Sequence, residues 1–430
     1  MPEHYVTGTT EAWTAMPIST TLTDTTRPGA ARDAALYARP LGLMTVDHTP
    51  DQGLDADGHQ PVGVGKRRLI QAATAAGGLA LAGGAFAVAR LRGKAAYNEV
   101  VEATWRPLRP SRTRPAMPDE LVRCATLAAN SHNTQPWRFR ASSDAIEVAP
   151  DLSRRLQAVD PDDHHLFISL GCAVENIVQA APASGVRAVL RFDPATDTVH
   201  VALEPSPNPA GPLLGAIPLR QCIRADYDGR QVPPGDLRLL EAAGQGPGAG
   251  LLLFTDRGWI ERFLPVLLAA NAAQMADRAF IAELKSWIRF GYGDALATRD
   301  GLFTAASGNP VSPAVLGRTL FDLAFTVERE NAKYARQLRS SAGVAVFVAG
   351  QADKAHWMEV GRCCQRFALQ ATALGLRYAF LNQPVEVPFL RDGFAALAGI
   401  PGQRPDLVVR FGYGPGLPRS LRRPVGQILA

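Results

Sequence analysis

The chain has 430 residues, of which 47% are hydrophobic and 20% charged. That is apolar enough to bury a sizeable core and excludes a wholly disordered polymer, and the length suits two or three structural units. The net charge of +5 comes mostly from arginine, yet no dense basic run with interleaved aromatics marks a nucleic-acid surface, so nucleic acid is not an expected partner.

Residues 1–65 are rich in Thr, Asp, Gly and Pro and lack sustained periodicity. They read as a disordered leader, or as sequence upstream of another start at Met44. Residues 66–93 place Lys66, Arg67 and Arg68 before an uncharged, Gly/Ala-rich apolar stretch at 69–89. A basic segment, an apolar segment and small residues near Ala87 and Ala89 have the layout of an export signal, and Arg67-Arg68 resembles a twin-arginine signal. Two other readings stay open: an anchor in the cytoplasmic membrane, since residues 69–89 just suffice to span a bilayer, and a buried helix. If the signal is unused, the protein stays cytoplasmic. Residues 94–116, with RPLRPSRTRP, are expected to be a linker.

From Asp119 the pattern becomes regular. DELVRCATLAANS reads as an amphipathic helix, WRFRAS and AIEVAPD as strands, and HHLFISLGCAVENIVQAAPASGV as a helix closed by Gly185. VRAVLRFDP and TVHVALEP alternate as strands, and a Pro/Gly-rich stretch marks a boundary near residue 210. Beyond it, PPGDLRLLEAAG is a helix and LLLFTD a strand. Residues 258–340 form a long helical insert. AGVAVFVAG is a strand, WMEVGRCCQRFALQATALGLRYAFLN a helix running into a strand, and LVVRFGYG the last strand. The five cysteines, Cys124, Cys172, Cys222, Cys363 and Cys364, have neither zinc-ligand spacing nor an even count, and read as buried small apolar residues. No metal is expected.

Two segments match each other. Residues 166–192 and 356–382 each carry a glycine early in a helix, Gly171 and Gly361, and a closing glycine before a strand, Gly185 and Gly375. Two ordinary buried helices would give part of this pattern; the matching strands favour an internal duplication.

Residues 127–139, LAANSHNTQPWRF, resemble the Asn-x-Gln-Pro-Trp-x-Phe segment of nitroreductase-fold flavoproteins. Residues 217–233, IPLRQCIRADYDGRQVP, resemble that family's Arg-rich opening segment, with Cys222 where a serine is usual. GLRYAFLNQP and the closing RFGYGPGLPRSLRRP complete the pattern, which covers roughly residues 117–428. In the family the Arg segment comes first and the chains pair, so that both subunits hold each FMN. Here the first half has Asn-Gln-Pro-Trp without an Arg segment, and the second has the Arg segment but reads AAGQGPGAGLLLF where Asn-Gln-Pro-Trp should fall. This resembles the Acg-type branch, a fused pseudo-dimer with one site kept and one abandoned, including members with an amino-terminal export signal.

The resemblance implies an α+β, nitroreductase-like fold: two half-domains, 117–210 and 211–430, each a mostly antiparallel sheet flanked by helices, with 258–340 as a lid-like insert. It implies FMN as cofactor, NAD(P)H and a small-molecule electron acceptor as partners, and a monomer acting as an intramolecular pseudo-dimer. Arg220 and Arg224 are phosphate candidates: arginine forks suit phosphate oxygens, and four-residue spacing would align them on a helix. Arg419, Arg422 and Arg423 are expected to close over the phosphate. Ser131, His132 and Asn133 are expected at the flavin edge or ribityl chain, with Gln135 shaping the backbone. Leu381, Asn382 and Gln383 match the segment along the ring. No catalytic side chain is singled out, because the flavin carries the chemistry. No GxGxxG follows a strand, so the nicotinamide donor would stack on the flavin directly. The expected activity is reduction of nitroaromatic, quinone or similar acceptors; the alternative is a flavin-binding or flavin-sequestering protein without efficient turnover, should the insert block access.

Overall fold

A computed structural model describes residues 90–108 and 118–430. The leader, residues 1–65, and the apolar segment 69–89 lie outside the described residues. The expected linker is corrected in its first part: residues 90–104 form helix α1. Tyr97 and Val101, one turn apart, face inward, with Trp105 buried just beyond the helix. Tyr97 packs 4.7 Å from the Phe303 ring and donates to the Arg419 carbonyl, and Trp105 Nε1 donates to the Ser420 carbonyl at 3.0 Å. The density of Pro and Arg after residue 106 hid this apolar spacing.

The first half opens with α2 (Pro118–Thr126), which has Pro in its first position and Asp119 and Glu120 in its first turn, where they complement the helix dipole. Strands β1 (Trp137–Ala141) and β2 (Ala145–Pro150) form a hairpin whose inward residues Trp137, Phe139, Ile146 and Val148 alternate with polar ones. Helix α3 (His164–Ala180) follows, ending through a short 3-10 turn on Gly185 at φ 73°, then β3 (Val186–Asp193) and β4 (Thr198–Pro205). The sheet is antiparallel, in the order β1-β2-β4-β3.

The second half repeats the plan. Helix α4 (Pro234–Ala243) leads to β5 (Ala249–Phe254). The insert then runs through α5 (Arg257–Ala276), α6 (Arg278–Trp287), β6 (Ile288–Arg289), α7 (Tyr292–Thr298), β7 (Leu302–Phe303), α8 (Ala314–Ala324) and α9 (Val327–Arg339). Strand β8 (Gly343–Ala349), helix α10 (Lys354–Ala373), strand β9 (Arg377–Phe380), helices α11 (Gln383–Glu386) and α12 (Pro388–Leu397), and strand β10 (Pro405–Gly412) complete it. This sheet is also antiparallel, in the order β5-β8-β10-β9. Each half is thus helix, strand, strand, helix, strand, strand, with the same order of strands across its sheet. The insert replaces the three-residue turn, residues 142–144, that joins the first two strands of the first half.

The two sheets differ in burial for a reason visible in sequence. β8 is a continuous apolar run, and β10 is buried throughout with Asp406 and Arg410 inside it; both strands are covered on both faces. Ala345 and Phe347 face α10, while Val344, Val346 and Val348 face the core under the insert. β3 alternates half-buried and exposed residues, leaving one face open. One continuous core contains residues of both halves, so they are not separately packed domains.

At the centre of that core α3 and α10 cross on their glycines. A Cβ on Gly171 would lie 1.9 Å from the Met358 carbonyl oxygen, and a Cβ on Gly361 would lie 2.0 Å from that of Ile168. The contact is reciprocal: each glycine meets the residue three before the other. Gly185 and Gly375 likewise share a left-handed φ, 73° and 74°. Helix α3 continues in a segment, His164–Ser184, that is long and apolar enough to cross a bilayer; here it is mostly buried inside the fold. Four of the cysteines are buried and Cys222 is half-buried; all are free.

Candidate functional site

Two neighbouring cavities lie where the halves and the insert meet. The larger, a chamber of about 510 Å³, is walled by both halves and roofed by the insert. The smaller, about 90 Å³, shares Ala129, Asn130, His132, Arg224, Leu302, Ser307 and Phe380 with it. The candidates divide between them. Ser131, His132, Arg224, Asn382 and Gln383 line the chamber; His132, Asn133, Arg220, Cys222, Arg224 and Arg422 line the smaller cavity. Gln135, Leu381, Arg419 and Arg423 line neither.

The motif loop between α2 and β1 carries three backbone exceptions among its four residues from His132 to Gln135: His132, Asn133 and Gln135 all have positive φ. Its side chains hold that shape. Asn130 Oδ1 accepts from the Gln135 amide, Gln135 Nε2 donates to the Arg299 carbonyl, and Gln135 Oε1 accepts from the Arg423 amide. Asn133 Nδ2 donates to the carbonyls of Gly301 and Leu421, while its Oδ1 accepts from Arg422. The amides of Asn133 and Gln135 therefore tie the loop to the insert and the tail. The expectation that Asn133 reaches a flavin edge is not what its present bonds do, although it shares the smaller cavity with Arg220. His132 keeps a buried Nδ1 without a partner. Burial first, then the charges of Arg224 and His165, push its pKa down to about 3, so its imidazole is neutral.

Arg220 and Arg224 are not on a helix, which corrects the sequence expectation. They lie on an irregular stretch that Cys222 pins beside Tyr378 of β9, and Ile223 N donates to the Tyr378 carbonyl. Arg220, Gln221, Cys222 and Arg224 all reach the smaller cavity. Arg220 donates to Tyr378 Oη and to the Leu127 carbonyl at 2.7 Å, with its Nε left unpartnered. Arg422 donates to the carbonyls of Thr126 and Ala128 and to Asn133. Arg419 lies 4.7 Å over the Trp105 ring and donates to the Leu219 and Arg220 carbonyls. Arg423 turns away toward Gln135, with Asp151 at 3.6 Å.

Among the described residues no carboxylate pairs with Arg220, Arg224, Arg419 or Arg422. Burial, and next the charge of Arg220, lower Arg422 to about 9 and Arg419 to about 10, leaving both cationic at neutral pH. Buried cations without counter-charges are costly, and a bound anion relieves the cost. The donor set fits a phosphate. The adjoining chamber has room for a flat heteroaromatic ring and offers a further buried unpartnered oxygen, Gln383 Oε1.

Sequence reading missed the insert's contribution and the residues of the far wall. Asp300 receives Arg154 and Arg289, and Glu283 accepts from the amides of Ala158 and Val159. Burial would raise Asp300, but the bonds from Arg289, Thr298 and Arg154 outweigh it and hold the carboxyl below its usual range. His165, Asn271, Gln274, Lys333, Tyr334 and Glu386 also line the chamber. They come from four different helices, and no local motif announces them.

No family model matches the chain. Two Mycobacterium tuberculosis proteins are similar to it, both carrying provisional names. NAD(P)H nitroreductase Rv3131 is 27% identical over 318 residues, covering 71% of this chain and 88% of the relative. NAD(P)H nitroreductase acg is 27% identical over 326 residues, covering 71% and 93%. The chain is similar to the Acg-type nitroreductases. The Acg-type similarity spans nearly the whole length of each relative. Among solved structures, the FMN-dependent nitroreductase NfnB of Mycobacterium smegmatis, in complex with NADPH, aligns at 17% identity and a TM-score of 0.33, covering 50% of this chain and 95% of that one. A nitroreductase with bound FMN from Desulfitobacterium hafniense aligns at 15% and 0.33, covering 51% and 97%.

Proposed function

We propose that this Acg-type chain is an FMN-dependent oxidoreductase that takes electrons from NAD(P)H and passes them to a nitroaromatic, quinone or similar small acceptor. The observation that carries the reading is the set of buried and half-buried arginines without counter-charges among the described residues, from the second half and the tail, meeting the motif loop of the first half at two joined cavities. Arg224, Arg220 and Arg422 would hold the phosphate. The chamber beside Ser131, His132, Asn382 and Gln383 would take the ring. FMN, when bound, supplies the two-electron chemistry. The protein's part is to orient the ring, exclude water beneath the insert and offer hydrogen bonds of fixed direction.

The site is composite and single in this reading, and the chain is a monomeric pseudo-dimer. Ile168, Ser169 and Cys172 of α3 line the chamber. Matching Gly361 to Gly171, their counterparts on α10 are Met358, Glu359 and Arg362. There Arg362 joins Glu359 at 2.6 Å and Glu175 at 3.1 Å, and Arg366 joins Glu175 at 3.0 Å. The turn Gly244–Gly248 stands in place of the motif loop, so close that a Cβ on Gly246 would lie 2.4 Å from Glu359 Oε1. Ion pairs and a tight turn thus fill the second position.

The flavin-sequestering alternative draws on the insert, which is fastened to the first half through Asp300, Glu283 and Gly301. One experiment separates the two: anaerobic addition of NAD(P)H to the FMN-loaded chain, followed by a quinone or nitroarene. Bleaching and return of the yellow colour support the enzyme. A flavin that stays oxidised supports sequestration.

Export by residues 66–93 is a separate proposal. A fusion of residues 44–104 to a reporter that folds before transport should cross the membrane, and Arg67-Arg68→Lys-Lys should stop it. Continued crossing would exclude the twin-arginine route.

A further inference from the structure

We propose that Glu386 and His165 form an internal proton donor of the chamber, serving the acceptor. The inference rests on the oxidoreductase reading above and adds to it a role for protein side chains.

Both residues line the chamber, yet they come from opposite halves: His165 from the first turn of α3, Glu386 from α11. Glu386 Oε1 lies 3.6 Å from His165 Nδ1, and that Nδ1 is buried without a hydrogen-bond partner. The other ring nitrogen, Nε2, lies 3.2 Å from the Asp406 carbonyl oxygen, an acceptor only, which fixes Nε2 as the protonated nitrogen and Nδ1 as the open one. Glu386 Oε2 accepts from Gln274 Nε2 at 2.6 Å, which orients the carboxyl. Burial raises the Glu386 carboxyl above its usual range, against the opposing pull of His165 and Gln274. The other titratable and charged groups facing the pair are Asp160 before α3, His164 beside His165 on α3, His132 of the motif loop, Arg224 at the cavity junction, Arg391 on α12, Asp406 on β10, and Glu330 with Lys333 on α9. The Asp406 carboxylate is taken up by His164 Nε2 and the Ala349 amide. Asp160 is occupied as an acceptor from the His165 and Leu166 amides, and Lys333 is paired with Glu330. Glu386 is therefore the group placed to carry a proton to the open nitrogen.

The chemistry requires one. Reduction of a quinone to a hydroquinone takes up two electrons and two protons. NAD(P)H delivers two electrons and one proton, so a second proton must reach the acceptor beneath the roof. In the step proposed, the Glu386 O–H bond breaks as a proton passes to His165 Nδ1. The new N–H bond then breaks as the acceptor's O–H bond forms. The carboxylate left on Glu386 is reprotonated from water.

The test uses the FMN-loaded full chain with its flavin reduced by dithionite, so that failure with NAD(P)H does not touch it. Reoxidation by p-benzoquinone, which needs protons, is compared with reoxidation by ferricyanide, which takes electrons alone. Glu386→Gln should slow the quinone reaction about 100-fold, the lower range for a positioned acid, and leave the ferricyanide reaction unchanged. Glu386→Asp should recover much of the loss, and His165→Gln should behave like Glu386→Gln. Independently of turnover, the infrared difference between wild type and Glu386→Gln should contain a protonated-carboxyl stretch that persists to higher pH than that of an exposed glutamate. An unchanged quinone rate, an equal loss with both oxidants, or the absence of that band would overturn the proposal. A wild-type flavin that NAD(P)H cannot reduce would instead strike the oxidoreductase reading.

Discussion

At the scale of single residues the arginines divide by what they already bond. Arg224 has no hydrogen-bonded side-chain partner among the described residues, whereas Arg220 supports Tyr378 and the Leu127 carbonyl. Arg224→Ala should weaken FMN by about 1.5–3 kcal/mol, the range for a bond to a charged group, and leave riboflavin nearly unchanged. Paired titrations with the two ligands measure it, and equal losses would make Arg224 structural. His132 carries a pH signature. Its pKa falls from 6.5 in the unfolded chain to about 3 in the fold, so its contribution is complete above pH 6.5 and is lost as pH falls toward 3. The loss is on the order of 4 kcal/mol. Asp406, raised by burial to about 6, works the other way: its contribution is complete below its unfolded value and lost as pH rises through 6. His132→Asn tolerates the left-handed backbone and cannot titrate. Denaturation between about pH 4 and 7 should therefore show a flatter acid limb for the variant than for wild type; superimposable curves would contradict the buried neutral imidazole. The cavity-lining positions of Arg220, Arg224 and His132 were legible because each lies in a short segment whose pattern is contiguous in sequence. His165 and Glu386 were not, because their meeting depends on two helices far apart in sequence.

At the scale of elements the glycine crossing is the most exposed feature of the fold. Gly361→Ala puts a methyl group where the Ile168 carbonyl now stands, and Gly171→Ala does the same at Met358. Each should cost at least about 1–3 kcal/mol, the usual range for overpacking, and by a similar amount because the contacts are reciprocal. Denaturant midpoints would show it; a stable Gly361→Ala protein would mean that the helices can part without loss. The two helices and their closing glycines were legible because a period and a stop signal are local properties. The place of the insert was legible as a long helical stretch, but not its attachment: Asp300, Glu283 and Gly301 bond to residues of the other half. Helix α1 was missed because its apolar face contributes only a few residues, and they pack on the insert and the tail.

At the scale of the molecule, two sheets with the same strand order surround one crossing pair of helices; in the proposed reading one of the two symmetry-related positions keeps a cavity and the other, among the described residues, is filled. The fold class was legible from alternation and apolar runs; the Gly-rich turn that stands where the second motif would fall was legible too, while the ion pairs of Glu175, Glu359, Arg362 and Arg366 beside it needed coordinates. The central claim is one composite FMN site per chain. Calorimetric titration of the flavin-free chain with FMN tests it most directly. The account predicts saturation at one FMN per chain, with tight binding that weakens in Arg224→Ala; two equivalent sites per chain, or no binding at all, would contradict it.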